Sequence, residues 1–246
     1  MATSEKIVKE GIVIRLSQTK EADAMVNALG PDGLFSFYAR GIGKLTSKNR
    51  ASVQALSHAS FALSVSSSGS ATLTESKPIE SFLPKEQKLE QFAILSFLEE
   101  ISAKIIQPGE GGELYPWLHD CLKAIKEGFD PLTIGLIYFA HLMVDFGIGL
   151  DVDECVVCHK KTAINALSYE EGGFLCNDHC HGESAVMASP RKLKILRYLF
   201  RVPLTSLTRI AFERGETIPL YAELGLYLHQ LTGTNLKSLS VIEKLS

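Results

Sequence analysis

Between Gly33 and Thr74 this chain has no aspartate or glutamate, although acids outnumber bases overall and the net charge is −3. A second acid-free run extends from Ser184 to Phe212. The overall charge excludes a uniformly basic binding protein, so any polyanion site must be local. Residues 1–82 carry nine lysines and arginines against seven acids, and the remainder sixteen against twenty-one, so the positive surplus is N-terminal. Long apolar runs are missing too. The longest, Ile134 to Met143, is too short and too interrupted to span a bilayer, which takes about 20 residues. Residues Met1 to Lys6 lack the apolar core of a secretion signal, so a soluble cytoplasmic protein without a membrane partner is expected. Cysteine is scarce: there are five, an odd number, and four of them cluster. That pattern argues against a disulfide framework and for a reduced compartment and a metal. No Walker loop, nucleophile elbow or His-Glu-x-x-His is present, which removes the chemistries those motifs carry.

What residues 1–82 do contain is a series of short strands joined by turns. Ile7 to Leu16 is the first, with Ile12, Ile14 and Leu16 on one face. Met25 to Leu29 is the second, ended by the turn Gly30-Pro31-Asp32-Gly33. In the third, Leu34 to Arg40, alternation puts Phe35, Phe37 and Ala39 on one face and Ser36, Tyr38 and Arg40 on the other. Phe61, Leu63 and Val65 alternate in a fourth, and Ala71 to Glu75 forms a fifth. Five short strands without a long helix predict a small closed barrel, most simply an OB-fold, with an SH3-like barrel as the competitor. Between the third and fourth strands runs a Gly/Ser/Thr-rich loop carrying Arg40, Lys44, Lys48 and Arg50. These four are candidate phosphate contacts, Arg15 is a further one, and Tyr38 is a candidate platform for a stacked base. A partly buried Tyr38 beside a merely solvated loop is the alternative.

From Pro78 and Pro84 onward the pattern turns helical, giving an α+β chain with the small barrel at residues 1–82 and a helical domain at 83–246. Lys85 to Ile106 carries Leu89, Phe92, Ala93 and Leu95 on or near one stripe, and Glu113 to Lys126 follows. Pro131 to Phe146 is apolar nearly all round, as at the buried centre of a bundle. Cys121, alone on a helix, reads as a small core residue. Ser189-Pro190 is an N-cap followed by proline at the first helical position. The helix it opens, Arg191 to Arg201, buries Leu193, Leu196, Leu199 and Phe200 and shows Arg191, Lys192, Lys194, Arg197 and Arg201 on its other face. That face is either solvated or a site for an anionic partner. A last helix runs from Ile218 to Leu231.

The cysteine cluster lies at about 151–183. Cys155-Val156-Val157-Cys158 is followed after seventeen residues by Cys176-Asn177-Asp178-His179-Cys180. Paired donors two residues apart, joined by a hairpin from Leu167 to Leu175, predict one tetrahedral zinc site. Cys155, Cys158 and Cys176 are three ligands. Cys180 is the favoured fourth as the softer donor, with His179, at the regular spacing, as the alternative. Four filled positions make the zinc structural, since a catalytic zinc keeps an open position, and no His-x-Glu of the deaminase kind is present.

The order of these parts, with Gly33-Leu34-Phe35-Ser36-Phe37-Tyr38-Ala39-Arg40-Gly41, the trailing cations, Glu75 to Phe82 and Gly172-Gly173-Phe174-Leu175-Cys176, resembles the bacterial RecO family of recombination mediators over nearly the whole chain. The resemblance implies a non-enzymatic protein of the RecF pathway of recombinational repair. Its OB-fold would bind single- and double-stranded DNA, and its helical domain would carry the zinc module. It further implies RecR and the C-terminal tail of the single-strand-binding protein SSB as partners, with RecA served indirectly. Annealing of complementary strands and a nucleoid-associated place in the cytoplasm follow from the same likeness. Two rival functions fit the residues: a zinc-containing structural adaptor for a protein partner, and an RNA-binding OB protein.

Overall fold

The computed structural model describes residues 5–19, 21–83, 88–207 and 209–245. Pro84 and Lys85, where the helical pattern begins in the sequence, and Met1 to Ser4 lie outside them. The described chain divides into two compact units, Met1–Gly128 and Phe129–Ser246.

In the first unit, five strands form where hydrophobic alternation is strongest: β1 (Glu5–Gln18), β2 (Ala24–Gly30), β3 (Gly33–Ala39), β4 (Ser57–Val65) and β5 (Ala71–Ser81). They close into a barrel in the order β1-β2-β3-β5-β4, with β1 pairing antiparallel to β4. Closure on the other side is a parallel pairing of β3 with β5 at Tyr38 and Thr72. Phe37 and Ala39 enter the interior with Val13, Val26, Phe61, Leu63 and Leu73, and Phe35 packs half-buried against them. The Phe37 and Phe61 rings meet at 4.8 Å. Ser36 and Arg40 are exposed on the opposite face, as the period of two requires.

β1 departs from simple alternation. Ile12, Val13 and Ile14 are all fully buried, whereas Leu16 is exposed. A register shift between Val13 and Arg15 in the pairing with β2 breaks the period at that point. Val13 fills the barrel interior, which leaves Ile12 and Ile14 for the outer side, where α1 (Leu89–Ile105) and α2 (Leu114–Lys126) pack against β1. The spatial boundary therefore falls at Gly128, later than the change in composition near residue 82. α1 buries Ala93, Leu95, Phe97, Leu98 and Ile101, but Leu89 and Phe92 stand 65% and 59% exposed, against the stripe expected from sequence. Local spacing does not specify which side of the helix packs, and the buried face begins at Ala93. Cys121 is fully buried on α2, and burial pushes its thiol well above the ordinary range, as suits a core residue.

The second unit is built on α3 (Pro131–Asp145), whose buried residues cover every side of the helix. Asp130 caps it by accepting from the Thr133 N–H at 2.7 Å, with Pro131 at the first position. α3 packs against α4 (Pro190–Arg201) and α5 (Arg214–Thr232), and the Tyr221 hydroxyl donates to the Leu132 carbonyl at 2.8 Å. α5 starts ahead of Ile218 because Glu213 and Glu216 form a reciprocal capping box, and Pro219 lies inside the helix. Between α3 and α4 sits a three-stranded sheet of β6 (Ile164–Ser168), β7 (Gly173–Cys176) and β8 (Val186–Met187), ordered β7-β6-β8. A short α6 (Leu239–Glu243) packs on α5.

A polar knot fastens α2 to the barrel. Glu10 Oε1 accepts from the Tyr115 hydroxyl at 2.9 Å and lies 2.9 Å from Nε2 of the buried His58. The Tyr115 hydroxyl, opposed in part by burial and aided by His58, holds the Glu10 carboxyl below the usual carboxylate range. A depressed carboxyl adds stability above its unfolded-state pKa, and that stability is lost as pH falls through its folded value. Tyr115→Phe should therefore cost about 1 kcal/mol at neutral pH, a modest figure because Glu10 is half exposed. The gap between variant and wild type in urea unfolding should close below the ordinary carboxylate range. A gap that persists unchanged in acid would assign the loss to packing instead.

Candidate functional site

The hairpin of β6 and β7 carries Cys176 to the first cysteine pair. Knuckle turns shape both ends: the His159 N–H donates to the Cys155 carbonyl at 2.8 Å, and the His179 N–H to the Cys176 carbonyl at 3.0 Å. The second turn brings the imidazole back over the thiols. Cys155, Cys158, Cys176 and His179 present donor atoms that all lie within 4.8 Å of one another. Cys158 Sγ is 3.6 Å from Cys176 Sγ, and His179 Nδ1 is 3.6 Å from Cys155 Sγ and 3.4 Å from Cys176 Sγ. A tetrahedron with metal–sulfur bonds of about 2.3 Å has edges of about 3.8 Å, slightly shorter where nitrogen replaces sulfur. The set fits one metal ion. Burial pushes the Cys155 thiol up, but N–H donors from Cys176, Cys158 and Val157 outweigh it and draw the thiol down to about 6, toward the thiolate that ligation requires.

Cys180, the favoured fourth donor from sequence, is not in this cluster; its thiol lies 3.3 Å from the Asn177 carbonyl. Donor softness is overridden by the turn, which returns the third residue after Cys176 rather than the fourth.

The cations of α4 meet acids from distant parts of the second unit. Arg191 pairs with Glu216 through two hydrogen bonds, and Lys192 reaches Glu223 at 2.7 Å. Arg197 and Arg201 both hold Asp153, at 3.2 and 2.9 Å. Only Lys194, of the five, has no carboxylate within salt-bridge distance among the described residues. The acid-free run thus marks sequence neighbours and not spatial ones. An open groove of about 490 Å³ lies beside these residues, lined by Lys194, Arg197, Tyr198, Arg201, Val202 and Ile210.

The barrel loop differs. Arg15, Arg40, Lys44, Lys48 and Arg50 are exposed, and no carboxylate pairs with any of them among the described residues. The loop backbone is nonetheless fixed. Ile42 is buried in the barrel interior, the Gly43 N–H donates to the Ala22 carbonyl at 2.9 Å, and Asn49 Oδ1 accepts from the N–H and hydroxyl of Ser76 on β5. Tyr38 is half-buried, and its hydroxyl donates to Asp23 Oδ2 at 2.6 Å. The contact made by Asp23 and the anchoring parts of Ile42 and Asn49 are not predicted from the sequence. The one available signal was an apolar residue inside a polar loop.

The first unit is thus a small barrel with a cationic loop unpaired among the described residues, and the second holds a Cys3His cluster with the geometry for one metal ion. Family models described as Recombination protein O N terminal and Recombination protein O C terminal match residues 1–82 and 86–240. The chain belongs to the recombination protein O family. Among its curated relatives, proteins named DNA repair protein RecO from Bacillus mycoides (strain KBAB4) and Bacillus cereus (strain B4264) are each 28% identical over 96% of both chains. Membership supports a role in DNA repair and recombination. No helix among the described residues is long and apolar enough to cross a membrane.

The metal centre makes a direct prediction. Cys155→Ser combined with Cys158→Ser should abolish bound metal and lower the melting temperature, because ligand binding and folding are linked. His179→Ala should also lose metal, whereas Cys180→Ala should keep it, as read by metal analysis of the purified proteins. The opposite ranking of the last two would restore Cys180 as the ligand.

Proposed function

We propose that the barrel is an OB-fold that binds single- and double-stranded DNA, and that the protein acts without covalent chemistry as a recombination mediator. The observation that carries this reading is the set of exposed, unpaired cations on a backbone-fixed loop, Arg40, Lys44, Lys48 and Arg50, with Arg15 on β1. Fixed cations contact phosphates at little ordering cost, and such contacts position a strand without reading its sequence. Residues 1–82 form the DNA-binding domain, to which α1 and α2 are packed. Residues 83–246 form the helical domain, whose first two helices pack on the barrel and whose remainder carries a structural zinc module at 151–183. Zinc is the natural metal for three thiolates and an imidazole, and a filled shell leaves no position for substrate.

The mediator anneals complementary strands and helps RecA replace SSB on DNA in the RecF pathway, in company with RecR and in the nucleoid-associated cytoplasm. The groove beside α4 suits the acidic, aromatic-ended C-terminal tail of SSB: apolar walls at Tyr198, Val202 and Ile210, with Lys194, Arg197 and Arg201 at hand. Because Asp153 already holds Arg197 and Arg201, the tail must displace it, and Lys194 is the cation free to make first contact. Lys194→Glu should therefore weaken binding of a labelled tail peptide, while Arg191→Glu, outside the groove, should leave it unchanged. Equal effects would remove the tail from this groove.

The DNA reading has its own test. Neutralising Lys44, Lys48 and Arg50 together should weaken oligonucleotide binding and annealing without unfolding the protein, since all three side chains are exposed. Each lost phosphate contact flattens the dependence of log affinity on log salt by about 0.7 for single strands, so the slope should change by roughly 2. Tyr38→Ala should leave the slope unaltered while costing about 1–3 kcal/mol of binding if its ring stacks a base. An unchanged slope in the triple variant moves the site elsewhere. Failure of the wild type to bind DNA at low salt favours the adaptor reading.

A further inference from the structure

The β1–β2 turn is joined to the end of β3 and the start of the cationic loop at three points. The Tyr38 hydroxyl donates to Asp23 Oδ2 at 2.6 Å, the Gly41 N–H to Asp23 Oδ1 at 2.7 Å, and the Gly43 N–H to the Ala22 carbonyl at 2.9 Å. Gly41 takes a left-handed φ of 63°, which glycine adopts without penalty. At Gly43 a Cβ would sit 3.1 Å from Ala22 Cα, so the two backbones approach closely enough that a side chain here would push them apart by a few tenths of an ångström. Between the two glycines, Ile42 is buried in the barrel. One carboxylate thus holds an aromatic at the end of β3 and a backbone amide of the loop that carries Arg40, Lys44 and Lys48.

We infer that Asp23 is a positioning residue of the nucleic-acid site: both of its oxygens latch the cationic loop and Tyr38 in the arrangement that a single strand meets. This rests on the DNA-binding reading above and sharpens it, because it reverses the expected sign of a substitution. By charge alone, removing an acid beside a cationic loop strengthens attraction for phosphate. If the acid orders the loop, removing it weakens binding, because the ordering cost then falls on the binding step.

Three variants separate the two effects. Asp23→Ala removes the charge and both acceptors. Asp23→Asn removes the charge but keeps an oxygen for the Gly41 N–H and an amide that can donate to the Tyr38 oxygen. Tyr38→Phe keeps the ring and the Gly41 bond and loses only the phenolic one. Two measurements are made on the full chain: affinity for a fluorescein-labelled oligo(dT) at low salt, and the rate of trypsin cleavage after Arg40, Lys44 and Lys48, which needs no DNA. Asp23→Ala should be cleaved faster than wild type and bind about fivefold to tenfold more weakly, the scale of one ordinary net hydrogen bond. Tyr38→Phe should fall between it and wild type in both. Asp23→Asn should be cleaved at the wild-type rate and bind at least as tightly as wild type. Cleavage of the alanine variant at the wild-type rate would overturn the latch, and oligo(dT) binding as tight as that of the asparagine variant would overturn its part in binding. Should neither wild type nor Asp23→Asn bind oligo(dT), the DNA reading fails by itself, and the trypsin rates still decide the latch.

Discussion

The closure of the barrel at one end of β3 is the constraint on which the candidate interface depends. β3 is held along its length by β2, but its pairing with β5 consists of a single parallel contact, Tyr38 to Thr72. Immediately beyond it the chain leaves the sheet and becomes the cationic loop. Everything that fixes the loop is therefore gathered at that seam: Asp23 and Ala22 at its start, Ile42 inside the barrel, and Asn49 bound to Ser76 of β5 at its end. A loop of this composition would otherwise be free to move, with its cations spread over many arrangements. Anchored at both ends, it holds Lys44, Lys48 and the 87%-exposed Leu45 away from the barrel surface.

The two acid-free runs show why charge read along a sequence is only half an argument. In the loop run, the absence of local acids does translate into cations without a paired carboxylate among the described residues, the adjoining carboxylate of Asp23 being taken up by Tyr38 and the Gly41 N–H. In the α4 run it does not, because helix packing delivers Glu216 and Glu223 from α5, and Asp153 from ahead of the cysteines, onto the same face. Most of these pairs are exposed and each contributes little to stability. Their effect is on recognition: an anionic partner must compete with carboxylates already in place. The loop keeps the charge its sequence gives it, and the packed helix acquires the charge of its neighbours.

Much of the fold was legible because short-range physics dictated it. The five strands, the cap at Ser189 and the buried α3 all follow from periodicity and turn chemistry within a few residues. What was illegible involved contacts distant in sequence. The burial of both Ile12 and Ile14 with Val13 depends on α1 and α2 covering β1, and the exposure of Phe92 depends on which side of α1 finds the barrel. The metal centre sits between these cases. Its pairs were readable from spacing, but choosing His179 over Cys180 required the turn after Cys176, whose 3.0 Å backbone bond sets the imaginary fourth vertex within reach of Nδ1 and not of the next thiol.

The modest number of unpaired cations bears on how a mediator of the proposed kind would work. A protein that hands a strand to another must hold it firmly enough to align it and weakly enough to release it. Affinity that rests on phosphate contacts falls by about 0.7 in log units per contact for each tenfold rise in salt, for single strands. On the proposed reading, with the four cations of one loop and Arg15, such binding would be readily reversed by competition from another cationic surface, and release would need no hydrolysis or bond cleavage. A more basic loop would bind more tightly but surrender the strand less easily. A floppier loop of the same charge would surrender it easily but align it poorly. Few cations on a backbone pinned at Asp23 and Asn49 satisfy both demands, which makes the pinning, as much as the charge, the property on which strand handover would depend.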